Sequence, residues 1–406
     1  MAIMSSRSIG SWFSVASSQA KGNFIDQITF NSLYVLSFII ISRRHMKWAV
    51  ILKQNFWICI LLLYLGVSVF WSDFPASSFK RWMKMVGIFI TAIAVLSETN
   101  PYHALERILR RCAYILLPLS LCLIKWFPEY GIMFTNAGAR WAMGVTRHKN
   151  SLGLICALFS FTIIWSIVCR WKNGQLRTAK IPLLADIIAL GFGLYLLSGG
   201  GGAAKGYSAT SITLFSLCIT LLAFSYLFKN QITTMINHLR IVSVLAVVLF
   251  VFFSSVVMPK VTALLGREPD LTGRDLIWEA AIDVASRNPL FGTGYGGYWG
   301  LHEWEFSFNY KVNQAHNGYI NVYMEAGLIG IFFLCIFLLS FCGKIRNEYF
   351  CLPEWGIYGI CIFAAMLLYN YSEASFISES SLWTLAVYLY VIYSAPCRST
   401  DEFQYA

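Results

Sequence analysis

Long apolar runs separated by short polar loops dominate the chain. Windows of predominantly apolar residues fall near 25–42, 53–71, 82–97, 112–127, 150–169, 182–198, 209–228, 241–258, 319–342, 356–370 and 381–396. A helix needs about 20 such residues to cross a bilayer. The pattern therefore predicts an all-α polytopic membrane protein with about eleven transmembrane helices, the range of ten to twelve reflecting the polar Asp26 and Gln27 at the start of the first window. The longest interruption, residues 259–318, predicts one large extracytoplasmic loop containing short helices, within a single membrane domain spanning 1–406.

Composition agrees. The chain has 406 residues, 57% hydrophobic and 13% charged, and soluble domains carry about one quarter charged residues. Aromatics at 16% suit interfacial Trp and Tyr belts. No Cys lies between Cys218 and Cys335, and no Cys-x-x-Cys pair occurs, so the 11 cysteines read as packing residues and cytosol-facing thiols rather than metal ligands. The first apolar run starts late and lacks a small-residue cleavage pattern, so no cleavable leader is expected.

The net charge of +11 is distributed unevenly. Dense basic clusters recur after every second span: Arg43, Arg44 and Lys47; Arg107, Arg110 and Arg111; Arg170, Lys172, Arg177 and Lys180; Lys229 and Arg240; Lys344 and Arg346; and Arg398. The positive-inside rule assigns that side to the cytoplasm. The opposite side should then be poor in Lys and Arg, yet it carries Lys80, Arg81, Arg140, Arg147, Lys149, Lys205, Lys260, Arg267, Arg274, Arg287 and Lys311. Charges that oppose the insertion bias call for a second reason, and a polyanionic ligand such as a lipid diphosphate is the simplest.

Four motifs carry the candidate chemistry. In Leu271-Thr272-Gly273-Arg274-Asp275-Leu276-Ile277-Trp278, Thr272 can cap a helix running to about Arg287, with Asp275 as the capping-box acid and Asn288-Pro289 as the stop. Arg274 then falls in the first turn, where free N–H groups favour anions and a guanidinium fork can grip phosphate. A surface helix whose Arg274 merely pairs with Asp270 or Asp275 is an equal reading of the local pattern. His316-Asn317 directly precedes a span, so an imidazole stands at the membrane surface, able to accept a proton from a sugar hydroxyl. Lone loop histidines are more often structural than catalytic. Asn317 could orient this one.

The run Gly292-Thr293-Gly294-Tyr295-Gly296-Gly297 follows a helix and a proline rather than a strand, which removes the context of a dinucleotide loop. Backbone packing around Tyr295 and Trp299 is the better reading, with sugar stacking by Tyr295 second. Arg147-His148-Lys149-Asn150 opens a span from the outer side, either as interfacial anchors or as phosphate and glycan contacts. For Arg81, Lys205, Ser208 and Glu373 the structural reading comes first. No His-x-x-His or His-Glu-x-x-His pair, P-loop or serine elbow occurs, so no metal or other cofactor is expected.

Together these residues resemble the O-antigen ligase and polysaccharide polymerase superfamily of bacterial membrane glycosyltransferases, over residues 55–385. The resemblance is strongest in the Arg274 and His316 motifs, in Pro289-Leu290-Phe291-Gly292-Thr293-Gly294-Tyr295-Gly296 and in Gly327-Leu328-Ile329-Gly330. Trp71-Ser72-Asp73-Phe74-Pro75 and Gly144-Val145-Thr146-Arg147-His148-Lys149-Asn150 add to it, and the wording is nearer the exopolysaccharide polymerase branch than the ligases. The resemblance implies metal-independent transfer of glycan from an undecaprenyl-diphosphate-linked oligosaccharide to a glycan or lipid-linked acceptor. The site would face the periplasm of the bacterial inner membrane, among membrane lipids and without nucleic acid. Arg274 would contact the diphosphate, and His316 would be the catalytic or phosphate-binding histidine. Arg81, Arg147, His148, Lys149, Asn150, Lys205, Trp278, Tyr295 and Asn317 are the expected substrate-binding set. Where many relatives carry Ser-Arg, this chain has Gly-Gly-Ala-Ala-Lys205-Gly-Tyr-Ser208, and an ammonium does not replace a guanidinium fork. Joining the glycan to lipid A-core is the alternative activity. A lipid-linked glycan flippase is the alternative of another class.

Overall fold

A computed structural model describes residues 24–44, 46–134, 140–175, 180–200, 208–252, 274–299 and 314–396. Helices account for almost all of it: α1 (Phe24–Ser42), α2 (Trp48–Gln54), α3 (Phe56–Val67), α4 (Pro75–Leu96), α5 (Pro101–Trp126), α6 (Lys149–Lys172), α7 (Lys180–Leu197), α8 (Ala209–Leu227), α9 (Lys229–Asn237), α10 (Leu239–Phe252), α11 (Arg274–Ser286), α12 (Gly318–Cys351), α13 (Pro353–Ser372) and α14 (Ser381–Ile392). Between α5 and α6 a small antiparallel hairpin pairs β1 (Ile132–Phe134) with β2 (Arg140–Ala142), Met133 opposite Trp141.

The architecture is that of a multi-span membrane protein, but the expected eleven crossings are not found. Among the described residues α6, α8, α12 and α13 are long and apolar enough to cross a membrane, and a fifth crossing arises only if α2 and the Phe56–Trp71 segment, bent by 83° at Asn55, count as one. Length and charge explain the difference. Among the described residues the apolar parts of α1 (Ile28–Ser42), α7 (Ile181–Leu197) and α14 span 10–17 residues, and α10 is described for 14, as far as Phe252. Helices α4 and α5 are long, yet Lys80, Arg81 and Lys84 in one and Arg110, Arg111 and Lys125 in the other interrupt their apolar windows. Reading sequence windows merged apolar stretches with the charges that flank them.

Helix α6 is the centre of the bundle, with 78% of its apolar window buried against 28% for α8. It packs against α5, α7 and α8, while α13 joins α8, α12 and α14. Large apolar side chains elsewhere point outward, among them Phe70, Ile181 and Leu227. Such a surface is stable only against lipid or another apolar partner.

One break in the bundle positions the loops at its end. Gly327 interrupts α12 with φ 64° and ψ −167°, a conformation tolerated by glycine alone without strain. The freed backbone is re-satisfied by the Pro289–Thr293 turn: Leu328 N–H donates to the Pro289 carbonyl at 2.8 Å, Ile329 N–H to Leu290 at 3.2 Å, and Thr293 N–H to Met324 at 2.9 Å. Gly292, with φ 70°, lies against the Gly327 backbone so closely that a Cβ would stand 2.6 Å from Gly327 N. The glycine-rich motif and the Gly327 motif are thus two halves of one joint.

Candidate active site

The site is assembled where α13 ends, α12 begins and α11 begins. Asn370, fully buried near the end of α13, accepts hydrogen bonds from Ser375 N–H at 2.8 Å and Phe376 N–H at 2.7 Å, and so folds the loop to α14 back over the helix end. Gly318 rests directly on this amide, since a Cβ there would lie 2.0 Å from Asn370 Oδ1. Asn317 caps α12, its Oδ1 accepting from Tyr319 N–H at 3.0 Å and Ile320 N–H at 3.2 Å. Pinned from both sides, His316 takes φ 49°, in the left-handed region that non-glycine residues seldom occupy. Side chains held this way cluster at functional sites.

Glu373 is the residue on which the side chains converge. Its Oε1 accepts from Asn150 Nδ2 at 2.5 Å and from Arg274 Nη2 at 3.2 Å. Its Oε2 lies 3.2 Å from His316 Nδ1 and accepts from Gln314 Nε2 at 3.3 Å. Only 5% of the Glu373 side chain is exposed, against 23% for Arg274 and 29% for His316. The carboxylate is therefore the buried anchor, and the two cationic or titratable groups form its solvent-facing rim. Arg274 is held a second time by the Ser372 carbonyl, 2.5 Å from Nη1. Among the described residues its pairing partner is thus Glu373 rather than Asp275, and Asp270 lies outside them.

His148 sits beside this cluster. Burial pushes its imidazole pKa below the ordinary value, an effect that Glu373 opposes and that His316, Lys149 and Arg274 reinforce. Its Nδ1 accepts from Asn150 N–H at 3.2 Å, which leaves the proton of the neutral ring on Nε2. The hairpin brings Trp141 against the same corner, edge-on to His148 at 5.3 Å and beneath Lys149 Nζ at 4.2 Å. Trp278, one turn after Arg274, donates to the Ala315 carbonyl at 2.9 Å and meets Tyr371 edge to face. It thereby ties α11 to the segment carrying His316.

Arg274, His316, His148, Lys149, Asn150 and Trp278 of the expected set are thus brought together. The others are placed elsewhere. Arg81 donates to the Trp299 carbonyl at 3.4 Å and packs along Gly296, in a separate cluster with buried Glu325. Tyr295 is 5% exposed, its hydroxyl donating to Ile377 O at 2.8 Å, so it is a core residue with no ring face open to a sugar. Arg147 is exposed. Asn317 spends its side-chain oxygen on the helix cap rather than on His316. Lys205 and the Thr272 cap lie outside the described residues.

Glu373 and Gln314 are the residues that sequence reading undervalued. Glu373 had a usable signal, an acid directly after an apolar span on the side rich in unmatched Arg and Lys. Gln314 had none. No group of three or more His, Cys, Asp or Glu arranged to hold a metal occurs among the described residues, and nine of the described cysteines are free thiols.

Comparison with known proteins accords with this picture at family level. Residues 196–335, which include Arg274 and His316, match the family model described as O-Antigen ligase. The chain is also 25% identical over 310 residues to the exopolysaccharide production protein ExoQ of Rhizobium meliloti, covering 72% of this chain and 65% of the relative, somewhat less than two thirds of its length. Both similarities support placement in the broad superfamily of O-antigen ligases and exopolysaccharide polymerases.

Proposed function

We propose that this protein is a membrane glycosyltransferase that extends a polysaccharide from an undecaprenyl-diphosphate-linked donor at the periplasmic face of the bacterial inner membrane. The observation that carries the reading is the meeting of Arg274 and His316, from separate motifs, on the buried carboxylate of Glu373.

The chemistry follows from that arrangement. A carboxylate at His316 Nδ1 favours the proton on that nitrogen, leaving the Nε2 lone pair for an incoming hydroxyl. An acceptor hydroxyl attacks the anomeric carbon, its proton passing to His316 Nε2. The bond from that carbon to the diphosphate oxygen breaks with its electron pair leaving on undecaprenyl diphosphate. Arg274 and Lys149 oppose the charge growing there, Arg274 with the guanidinium N–H groups not already given to Ser372 and Glu373. A single displacement inverts the anomeric centre. The resemblance to the polymerase branch, and the similarity to an exopolysaccharide production protein, favour a second lipid-linked glycan as acceptor over lipid A-core. The break at Gly327 is filled by the Pro289–Thr293 backbone, which weighs against reading it as the discontinuous helix of a flippase path.

The test is reconstitution of purified protein in bilayers with lipid-diphosphate glycan and a divalent-ion chelator. Chain lengthening is expected with the chelator present, and is expected to vanish in His316→Ala. Polymer at wild-type rate from a well-folded His316→Ala protein, or transfer only to lipid A-core, would overturn the mechanism or the acceptor respectively.

A further inference from the structure

A second cationic site lies at the other end of α12. Lys344 follows the apolar run of that helix, 26 residues beyond Gly318 by numbering, or roughly 40 Å at the helical rise. It lines a cavity of about 380 Å³ with Arg240, Trp57, Ser340, Gly343 and Asn347. Trp57 stands at the start of the apolar α3, Arg240 at the start of the apolar α10 and Lys344 just past the apolar stretch of α12. Three apolar segments thus reach their polar boundary at one cavity, the level at which lipid headgroups lie.

Neither Arg240 nor Lys344 has a carboxylate partner among the described residues. Lys344 Nζ donates to Asn55 Oδ1 at 2.9 Å, the Tyr390 carbonyl at 2.8 Å and Ser394 Oγ at 2.5 Å, and lies 3.8 Å from the centre of the Tyr390 ring. All three donors are used, and every acceptor is neutral. The nearest acid along the helix, Glu348, is turned instead toward Tyr102. Arg240 is exposed, and its guanidinium lies over Gly343, where a Cβ would stand 2.6 Å from Nη2. The glycine leaves room for the fork to rest on α12 at the cavity rim, and no described residue accepts a hydrogen bond from it.

We propose that this cavity binds the phosphate of an anionic lipid headgroup, with Arg240 as the hydrogen-bonding fork and positive charge, the Lys344 amine behind it fixed by its three neutral acceptors, and Trp57 as the interfacial side wall. Basic pockets between membrane helices hold anionic headgroups in this way. The site does not depend on the glycosyltransferase reading.

The experiment uses the full chain in nanodiscs of phosphatidylcholine doped with phosphatidylglycerol, with native mass spectrometry of the retained lipid. Retained phosphatidylglycerol is expected to exceed its share in the bilayer and to fall about five-fold in Arg240→Gln, the factor that ~1 kcal/mol per basic side chain represents. Gly343→Ala, which displaces only the flexible end of Arg240, is expected to lower it in the same direction. Arg287→Gln, an exposed arginine outside both sites, is expected to leave it unchanged. A second arm adds inorganic phosphate alone to lipid-free detergent protein: retention through Arg240 there identifies free phosphate as the source instead. Retention of neither probe, or retention indifferent to both Arg240→Gln and Gly343→Ala, overturns the site.

Discussion

Glu373 accepts Asn150, Arg274, Gln314 and His316 while only 5% of its side chain is exposed, so substitutions around it cannot be interpreted one at a time. Removing Arg274 leaves a buried carboxylate short of its charge partner, a loss on the order of 3–5 kcal/mol for a buried pair. An inactive Arg274→Ala protein would then report folding as much as catalysis. The double variant Arg274→Ala/Glu373→Gln removes the orphaned charge, and its thermal midpoint is expected to recover most of the loss while glycan transfer stays absent. Glu373→Gln alone keeps the shape and one acceptor oxygen, but its amide nitrogen cannot accept from Gln314 or His316 and cannot polarise the imidazole, and transfer is expected to fall about 10²-fold or more. Recovery of transfer in the double variant, or full activity in Glu373→Gln, would remove Glu373 from the mechanism. His148 supplies a separate test through pH. Its folded pKa lies below the ordinary value because of burial, beside Glu373, His316, Lys149 and Arg274, so the unfolded chain takes up the proton first. Stability contributed by the neutral ring is therefore present above about pH 6.5 and declines as pH falls below that unfolded value. Thermal unfolding between neutral and mildly acidic pH should show this slope, flattened in His148→Gln. An equal slope in both proteins would assign it to another group.

At the scale of elements, sequence and structure agree where a motif is local along the chain and part where it depends on contacts between distant segments. The helix expected from Thr272 to about Arg287 appears as α11, Arg274–Ser286, ending before Asn288-Pro289. His316-Asn317 does open a long helix. Tyr295 was legible as a packing residue, but its burial also withdraws it from the sugar-stacking set. Asn317 could be read as polar and near the site, whereas its role as cap depends on φ and ψ that only the fold supplies. The Gly292–Gly327 joint was invisible for the same reason: two motifs separated in sequence meet only in three dimensions. It makes a sharp prediction. At Gly327→Ala a Cβ would meet the Leu290 carbonyl oxygen at 2.3 Å in a left-handed conformation, combining backbone strain with a clash against rigid main chain. Gly174 also has positive φ, 70°, but nothing lies within 4 Å of its Cβ position. Gly174→Ala is expected to cost roughly 1 kcal/mol and Gly327→Ala several times that. Comparable melting temperatures for the two variants would mean the joint yields easily, and that it does not hold the loops of the site in place.

For the whole molecule, composition was sufficient to establish a multi-span helical membrane protein, and insufficient to count its crossings. The window at 82–97 absorbs Lys84 and the window at 112–127 leaves Arg110 as a flank, but both lie within helices and engage partners there, Lys84 with Glu379 at 2.6 Å and Arg110 with Asp186 at 3.0 Å. Charges neutralised inside the bundle let a helix continue past the point where a window ends it. Which face is which is a separate question, because the positive-inside bias counts Lys and Arg whether or not an acid pairs with them. Two exposed arginines give a direct test: Arg107 in the first turns of α5, and Arg147 just before α6 beside the candidate site. If the site faces the periplasm, a membrane-impermeant maleimide added to intact spheroplasts should label Arg147→Cys at once and Arg107→Cys only after permeabilisation. The native thiols set the background, measured on the unsubstituted protein. The reverse order would put His316 and Arg274 on the cytoplasmic side, where the positive-inside excess alone accounts for their neighbours. The diphosphate argument from misplaced charge would then lose its ground, even though the Glu373 cluster itself remained intact.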